Sequence, residues 1–418
     1  MLSIYRLVPW IYLLLPIAAA AWAVRARRRG GRPGALRSVA GLCFAGSLMG
    51  VALTLTWSDL LGANVSPGQM AVAAYWISAT LCGLGAVGLL LGRLLNVFLR
   101  VCLAPRQSYW RWRLGAAAGM VAVALRGALL SGVALGILAA TVISFRPKVV
   151  HPGNPQTILH HAFETIDFPA TDGVHLRGWW IAPAEGEPSA RDTVLLCHGF
   201  GADKAVALPL ARDLVDHGFN VLAFDFRAHG ESGGQLCTFG DTERRDVLGA
   251  VRWLRASHPT PGGRILGLGV DMGAVALIGA ASDPSLEGQS IDAVAAVDPF
   301  DQLDSLIDAL AEQRETPVAG WIISHVAVPL AGLQCGVDLR SWSPDRDAQM
   351  LWPRPLLVIQ AGQDSVVPLS AGQILFEDAL QPKYQYWIED ETPHQVMFED
   401  RAALGVIRVF FRGAKTII

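Results

Sequence analysis

Five short runs in the second half of the sequence, TVLLC, FNVLAF, RILGLGV, IDAVAAV and PLLVIQA, are almost wholly apolar. A strand with one wet face alternates polar and apolar residues. These runs do not, so both of their faces are buried. Helical patterns lie between them: KAVALPLARDLVDHG closed by Gly218, DTERRDVLGAVRWLRASH, MGAVALIGAAS and SAGQILFEDAL. YQYWIED and VMFEDRAALGVIRVFFRG close the chain as a last strand and helix, and AFETIDFPATDGVHLRGWWIAPA ahead of the first run reads as two strands round the TDG turn. The alternation specifies the α/β class, a mainly parallel sheet with helices on both faces. Residues 298–353 interrupt it with a largely helical segment of the size of a small lid. In such sheets the functional residues gather at the carboxyl ends of the strands.

The first 145 residues are of another kind. Tyr5–Val24, Leu36–Trp57, Met70–Gly92 and Gly127–Phe145 are apolar and each is about long enough to cross a bilayer core, which takes roughly 20 residues. The expected organisation is an all-α membrane region of about four spans over 1–145, then a domain over 146–418 with its lid at about 298–353. The lipid bilayer is the first expected partner. Arginines crowd the loops after the first and third spans, and SDLLGANVSPGQ after the second carries no Lys or Arg. The positive-inside rule then puts both basic loops in the cytoplasm and the second domain on the extracytoplasmic side, with Arg6 as mild contrary evidence. The spans hold almost no ionisable residue, which favours an anchor over a transporter or channel. A net charge of −2 argues against a nucleic-acid partner. The six cysteines show no CxxC or metal-ligand spacing, so no metal or cofactor is expected; a single bridge between Cys237 and Cys335 stays open.

Candidate chemistry falls at the strand ends. GLGVDMGAVALIGAA carries Gly269-x-Asp271-x-Gly273 where a strand turns into a small-residue helix. HGFG, His198–Gly201, follows an earlier strand; DFRAHGES follows the next; Asp364 lies in AGQDSVVP and His394 in ETPHQ. In these motifs and in their order, residues from about 160 to 413 resemble the α/β-hydrolases, of the serine esterase, lipase and aminopeptidase-like kind. The resemblance implies a nucleophile at Asp271, a triad acid at Asp364 and a base at His394. It implies oxyanion donors in the backbone N–H groups of Phe200 and Met272, supported by His198, Gly199, Gly201, Gly269 and Gly273. His198, Arg227 and His229 are expected to shape and brace loops, and Ser232, away from the elbow, is a poor nucleophile.

The elbow residue in this family is usually serine. An aspartate there makes a mixed anhydride with an ordinary ester or peptide, which is unfavourable, whereas it can displace a leaving group from sp³ carbon to give an alkyl ester that water then hydrolyses. Haloalkane dehalogenases and epoxide hydrolases do this. Their other motifs match poorly: Met272 stands where the former commonly have a halide-binding Trp, the segment 298–353 contains no tyrosine, and Gly201 replaces the usual proline. The readings are therefore an active membrane-anchored hydrolase of a small or lipid-like substrate, and a non-catalytic relative that binds a ligand or partner. An aspartate substituted into a serine enzyme is a third origin for the same sequence. The apolar stretch VAGWIISHVAVPLAG fits a hydrophobic substrate and ordinary lid packing equally well.

Overall fold

The computed structural model describes residues 140, 144, 148–183, 192–259, 262–313, 320, 321, 323–362, 367–388 and 400–413. The four expected membrane spans lie outside the described residues, apart from Ala140 and Ser144. Among the described residues no helix is long and apolar enough to cross a membrane. The chain divides into two compact units. One comprises Met1–Asp59, Val65–Ile143 and His325–Val337, and the other Leu60–Asn64, Ser144–Ser324 and Asp338–Ile418. The insert expected as one lid is therefore shared between the two. In the first unit its described part is a π-helical turn, Ile323–Ala327, that begins just before the unit and runs into a helix, Val328–Cys335, with proline in its first turn. Proline has no N–H to close an α-turn, which favours the wider turn before it.

In the second unit eight strands form one sheet: β1 (Phe163–Pro169), β2 (His175–Ile181), β3 (Thr193–Cys197), β4 (Asn220–Phe224), β5 (Ile265–Val270), β6 (Ile291–Val297), β7 (Leu356–Ala361) and β8 (Lys383–Ile388). Their order is β1-β2-β4-β3-β5-β6-β7-β8. β1 and β2 pair antiparallel, as do β2 and β4, and β3 to β8 run parallel. The hairpin turns at Gly173, whose φ of 91° suits glycine.

Each parallel strand feeds two cores. Leu195 and Cys197 of β3 point to one, and Val194 and Leu196 to the other. Helices α1 (Leu208–Asp216) and α8 (Arg401–Gly413) cover the second face, through Leu214 and Phe411 among others. The first face is covered by α2 (Arg244–Ser257), α3 (Met272–Ser282) and α7 (Leu369–Asp378). From the insert, α4 (Leu303–Gln313) adds Leu306 to a small cluster with Val275, Phe300 and Trp342, and α6 (Pro344–Gln349), numbered after the Val328–Cys335 helix α5, packs on α3 and α7. Every residue of α3 is buried, which accounts for its lack of a polar stripe.

Two helix boundaries differ from the sequence reading. α1 starts at Leu208 rather than Lys204, because Pro209 suits a helix start and the Asp203 carboxylate takes the N–H groups of Ala205 and Val206 into a separate turn. α2 starts at Arg244 rather than Asp241, because Thr242 and Glu243 are engaged by a loop. Cys197, Cys237 and Cys335 are not disulfide-bonded, so the bridge left open between Cys237 and Cys335 is not formed.

The strand-to-helix turn between β5 and α3 is tightly packed. A methyl group at Gly269 would stand 2.5 Å from the Gly273 carbonyl oxygen and 2.6 Å from Ala274 backbone atoms. One at Gly273 would stand 2.4 Å from the carbonyl oxygens of both Cys197 and His198. Backbone on both sides cannot swing away. Gly273→Ala is expected to lower unfolding stability by about 3 kcal/mol, at the upper end of ordinary overpacking, as read by chemical denaturation. Gly405→Ala, at another helical glycine where the added methyl meets only the Arg408 side chain at 3.7 Å, is the control for the change of residue alone.

Candidate active site

Asp271 stands between β5 and α3 with φ 50° and ψ −119°. The positive φ agrees with an elbow, but the ψ lies outside the left-handed helical basin that aspartate tolerates, so the conformation is strained for any side chain. It is fixed from both sides: the Asp271 N–H donates to the Val297 carbonyl of β6 at 2.8 Å, and its carbonyl accepts from Ala274 and Val275. An aspartate before a helix usually caps it with its side chain. This one makes no cap hydrogen bond. Its carboxylate instead accepts the Phe200 N–H at Oδ2, 3.0 Å away and 71 residues earlier in the chain. Gly199 makes the approach possible, since a Cβ there would lie 3.3 Å from the Asp271 Cβ. The carboxylate thus sits on the donor that the sequence reading assigns to a developing oxyanion. Met272 opens α3 next to it, and its sulfur touches the Cys237 thiol at 3.4 Å.

Two buried histidines hold the Phe200 loop. His198 directs Nδ1 at the Gly199 carbonyl, 2.8 Å, and accepts the Phe226 N–H at Nε2, 3.0 Å. His229 directs Nδ1 at the Arg227 carbonyl, 2.9 Å, and accepts the Gly201 N–H at Nε2, 3.2 Å. Each ring donates once and accepts once, which only neutral imidazole can do. Burial, then the neighbouring His229, pushes the His198 pKa down to about 3. Both histidines tie the loop after β3 to the loop after β4.

The loop after β4 is itself held by charge. Arg227 forks onto Asp246 at 2.6 and 2.9 Å and onto Asp172 at 2.8 and 2.9 Å. Burial works against the Arg227 charge, but the two carboxylates outweigh it and raise its pKa. Burial likewise pushes the Asp246 carboxyl up, opposed by Arg227. Asp225 is fully buried and accepts the Lys204 Nζ at 2.6 Å and the Lys204 and Glu231 N–H groups at 2.8 Å. Ser232 donates to the Asp225 carbonyl and accepts the Arg177 N–H, a structural use of its hydroxyl.

Sequence reasoning missed Glu243. Its buried carboxylate accepts the Thr238 N–H and hydroxyl and the Gly240 N–H at 2.7–3.0 Å, fastening the segment that carries Phe239. It also missed Asp298, strained at φ 47° at the end of β6, whose carboxylate accepts the Ala361 N–H at 3.0 Å. Asp364 and His394, the expected acid and base, lie outside the described residues.

A family model described as serine aminopeptidase, S33, matches residues 188–346. Pyrococcus furiosus esterase Pf2001 superposes with a TM-score of 0.50 at 27% identity, over 64% of this chain and 98% of that one; a second crystal form gives 0.52 at 25% identity. The fold is that of the α/β-hydrolases. The mainly parallel sheet and its family likeness are as the sequence implied. Among relatives, the uncharacterized protein YqkD of Bacillus subtilis is 27% identical over 277 residues, 63% of this chain and 88% of YqkD. The uncharacterized protein YfhR of Escherichia coli K12 is 27% identical over 241 residues, 57% of this chain and 75% of YfhR.

The neutral histidines give a pH signature. The unfolded chain takes up a proton at His198 near pH 6.5 and the folded chain only near 3. Stability from this site is fully present above about 6.5. It falls as pH drops toward 3, by up to about 1.4 kcal/mol per pH unit. Denaturation midpoints across pH 7 to 4 should show this slope, and His198→Gln should flatten it; an equally steep variant would remove His198 as its source.

Proposed function

We propose that the α/β-hydrolase unit cleaves a small or lipid-like electrophile, with Asp271 as nucleophile, His394 as base and Asp364 as the acid that orients it, in a protein anchored in the membrane by residues 1–145. The observation that carries this is the Phe200 N–H on Asp271 Oδ2. Oδ2 holds the Phe200 N–H, and the attack is assigned to Oδ1. Displacement at an sp³ carbon forms the Oδ1–carbon bond, breaks the carbon–leaving-group bond and sends the electron pair out with the leaving group. Water, giving its proton to His394, then adds to the Asp271 carboxyl carbon. The charge of that tetrahedral intermediate develops on Oδ2, the atom already bonded to Phe200, where a preorganised donor is most effective. Collapse frees the alcohol and restores the carboxylate.

The same contact disfavours ordinary ester cleavage. A substrate carbonyl oxygen would have to displace the Asp271 carboxylate from the Phe200 N–H. That feature also favours a second reading, a binding protein in which the carboxylate closes a former serine-type site.

Single turnover of epoxide and haloalkane substrates in heavy-oxygen water distinguishes them. Active displacement places label in the Asp271 carboxylate, and Asp271→Asn abolishes turnover. Wild type that turns over nothing, with Asp271→Ser cleaving acyl esters, would sink the nucleophile reading and leave the binding protein.

A further inference from the structure

Phe239 has φ 61°, a conformation that a bulky side chain occupies only when its surroundings impose it. They do so on both sides. Glu243 binds Thr238 and Gly240 around it, and Gly240, at φ 123°, lies so close to Trp342 and α3 that a Cβ would meet the Trp342 ring at 2.5 Å and Val275 at 2.9 Å. The strain places one ring: Phe239 lies over Phe200 with centroids 4.5 Å apart. Phe200 is the residue whose N–H holds Asp271 Oδ2. Both rings are only half-buried. Behind Phe239 is the apolar cluster of Val275, Phe300, Trp342 and Val367.

We infer that Phe239 is a specificity-determining residue. With Phe200 it forms an apolar wall beside the reactive carboxylate that takes the unbranched hydrocarbon group of the substrate. Both rings are uncharged hydrocarbon, so what the wall contributes grows with the apolar area laid against it. A merely structural phenylalanine could sit at ordinary φ within the cluster; this one is strained toward the oxyanion loop instead. The inference rests on the proposed reading of Asp271 as the reacting group, and its test is a binding measurement that needs no turnover.

The full chain is titrated calorimetrically with n-butanol to n-octanol, alcohols of the type that displacement would release. Affinity in wild type should rise with length, approaching fourfold per methylene where burial is complete. In Phe239→Gly the rise should fall below about twofold per methylene, with Phe239→Leu between the two. Partitioning into apolar regions elsewhere is common to all variants and is removed by subtracting one titration from another. A length dependence equal in wild type and variants, or absent from wild type, overturns the inference. If the glycine variant does not fold, the leucine variant carries the same comparison. Length-dependent binding that Phe239 controls, without heavy-oxygen labelling of Asp271, would refute the proposed reaction while leaving the wall in place.

Discussion

One hydrogen bond, from the Phe200 N–H to Asp271 Oδ2, joins the two loops on which the site is built. It spans the ends of β3 and β5, neighbouring parallel strands, and it depends on a backbone that would not adopt this shape alone. The β5 end must be strained at Asp271, the helix must start at once, and Gly199 must leave room. Sheet and helix supply that force. α3 is buried along its whole length, so its position cannot relax to relieve the turn.

Around this bond the support is polar and buried, which is costly unless every group is paired. Neutral histidines do what charged groups could not: each accepts one backbone N–H and faces one carbonyl, bridging loops 28 residues apart without placing a charge in the core. Charge is used in the adjoining loop, where the buried Arg227 and Lys204 meet buried carboxylates. Asp271 lies at the end of β5, where the start of α3 favours an anion.

Much of this was legible in the sequence. The unbroken apolar runs gave the buried parallel sheet because their pattern reports solvent on neither face. Gly269, Asp271 and Gly273 gave the elbow because a turn that tight admits few residues. The bond from Phe200 to Asp271 was not legible, since it depends on how far two loops approach across 71 residues. Glu243 escaped for a similar reason: inside DTERRDVLG it reads as an ordinary acidic helix start, and only the fold turns its carboxylate back onto Thr238 and Gly240. Phe239 carries no sequence signal of its strain beyond the glycine that follows it.

The tight packing of the β5–α3 turn has an evolutionary corollary. Steric exclusion falls on the glycines at 269 and 273, which admit no alternative without moving backbone. The central position presents its side chain to a neighbouring loop rather than into a packed core, so its identity is decoupled from the integrity of the scaffold. A lineage with this architecture can exchange the reacting group and keep the rest of the domain unaltered. Chemistry then diverges by one substitution while the architecture stays put.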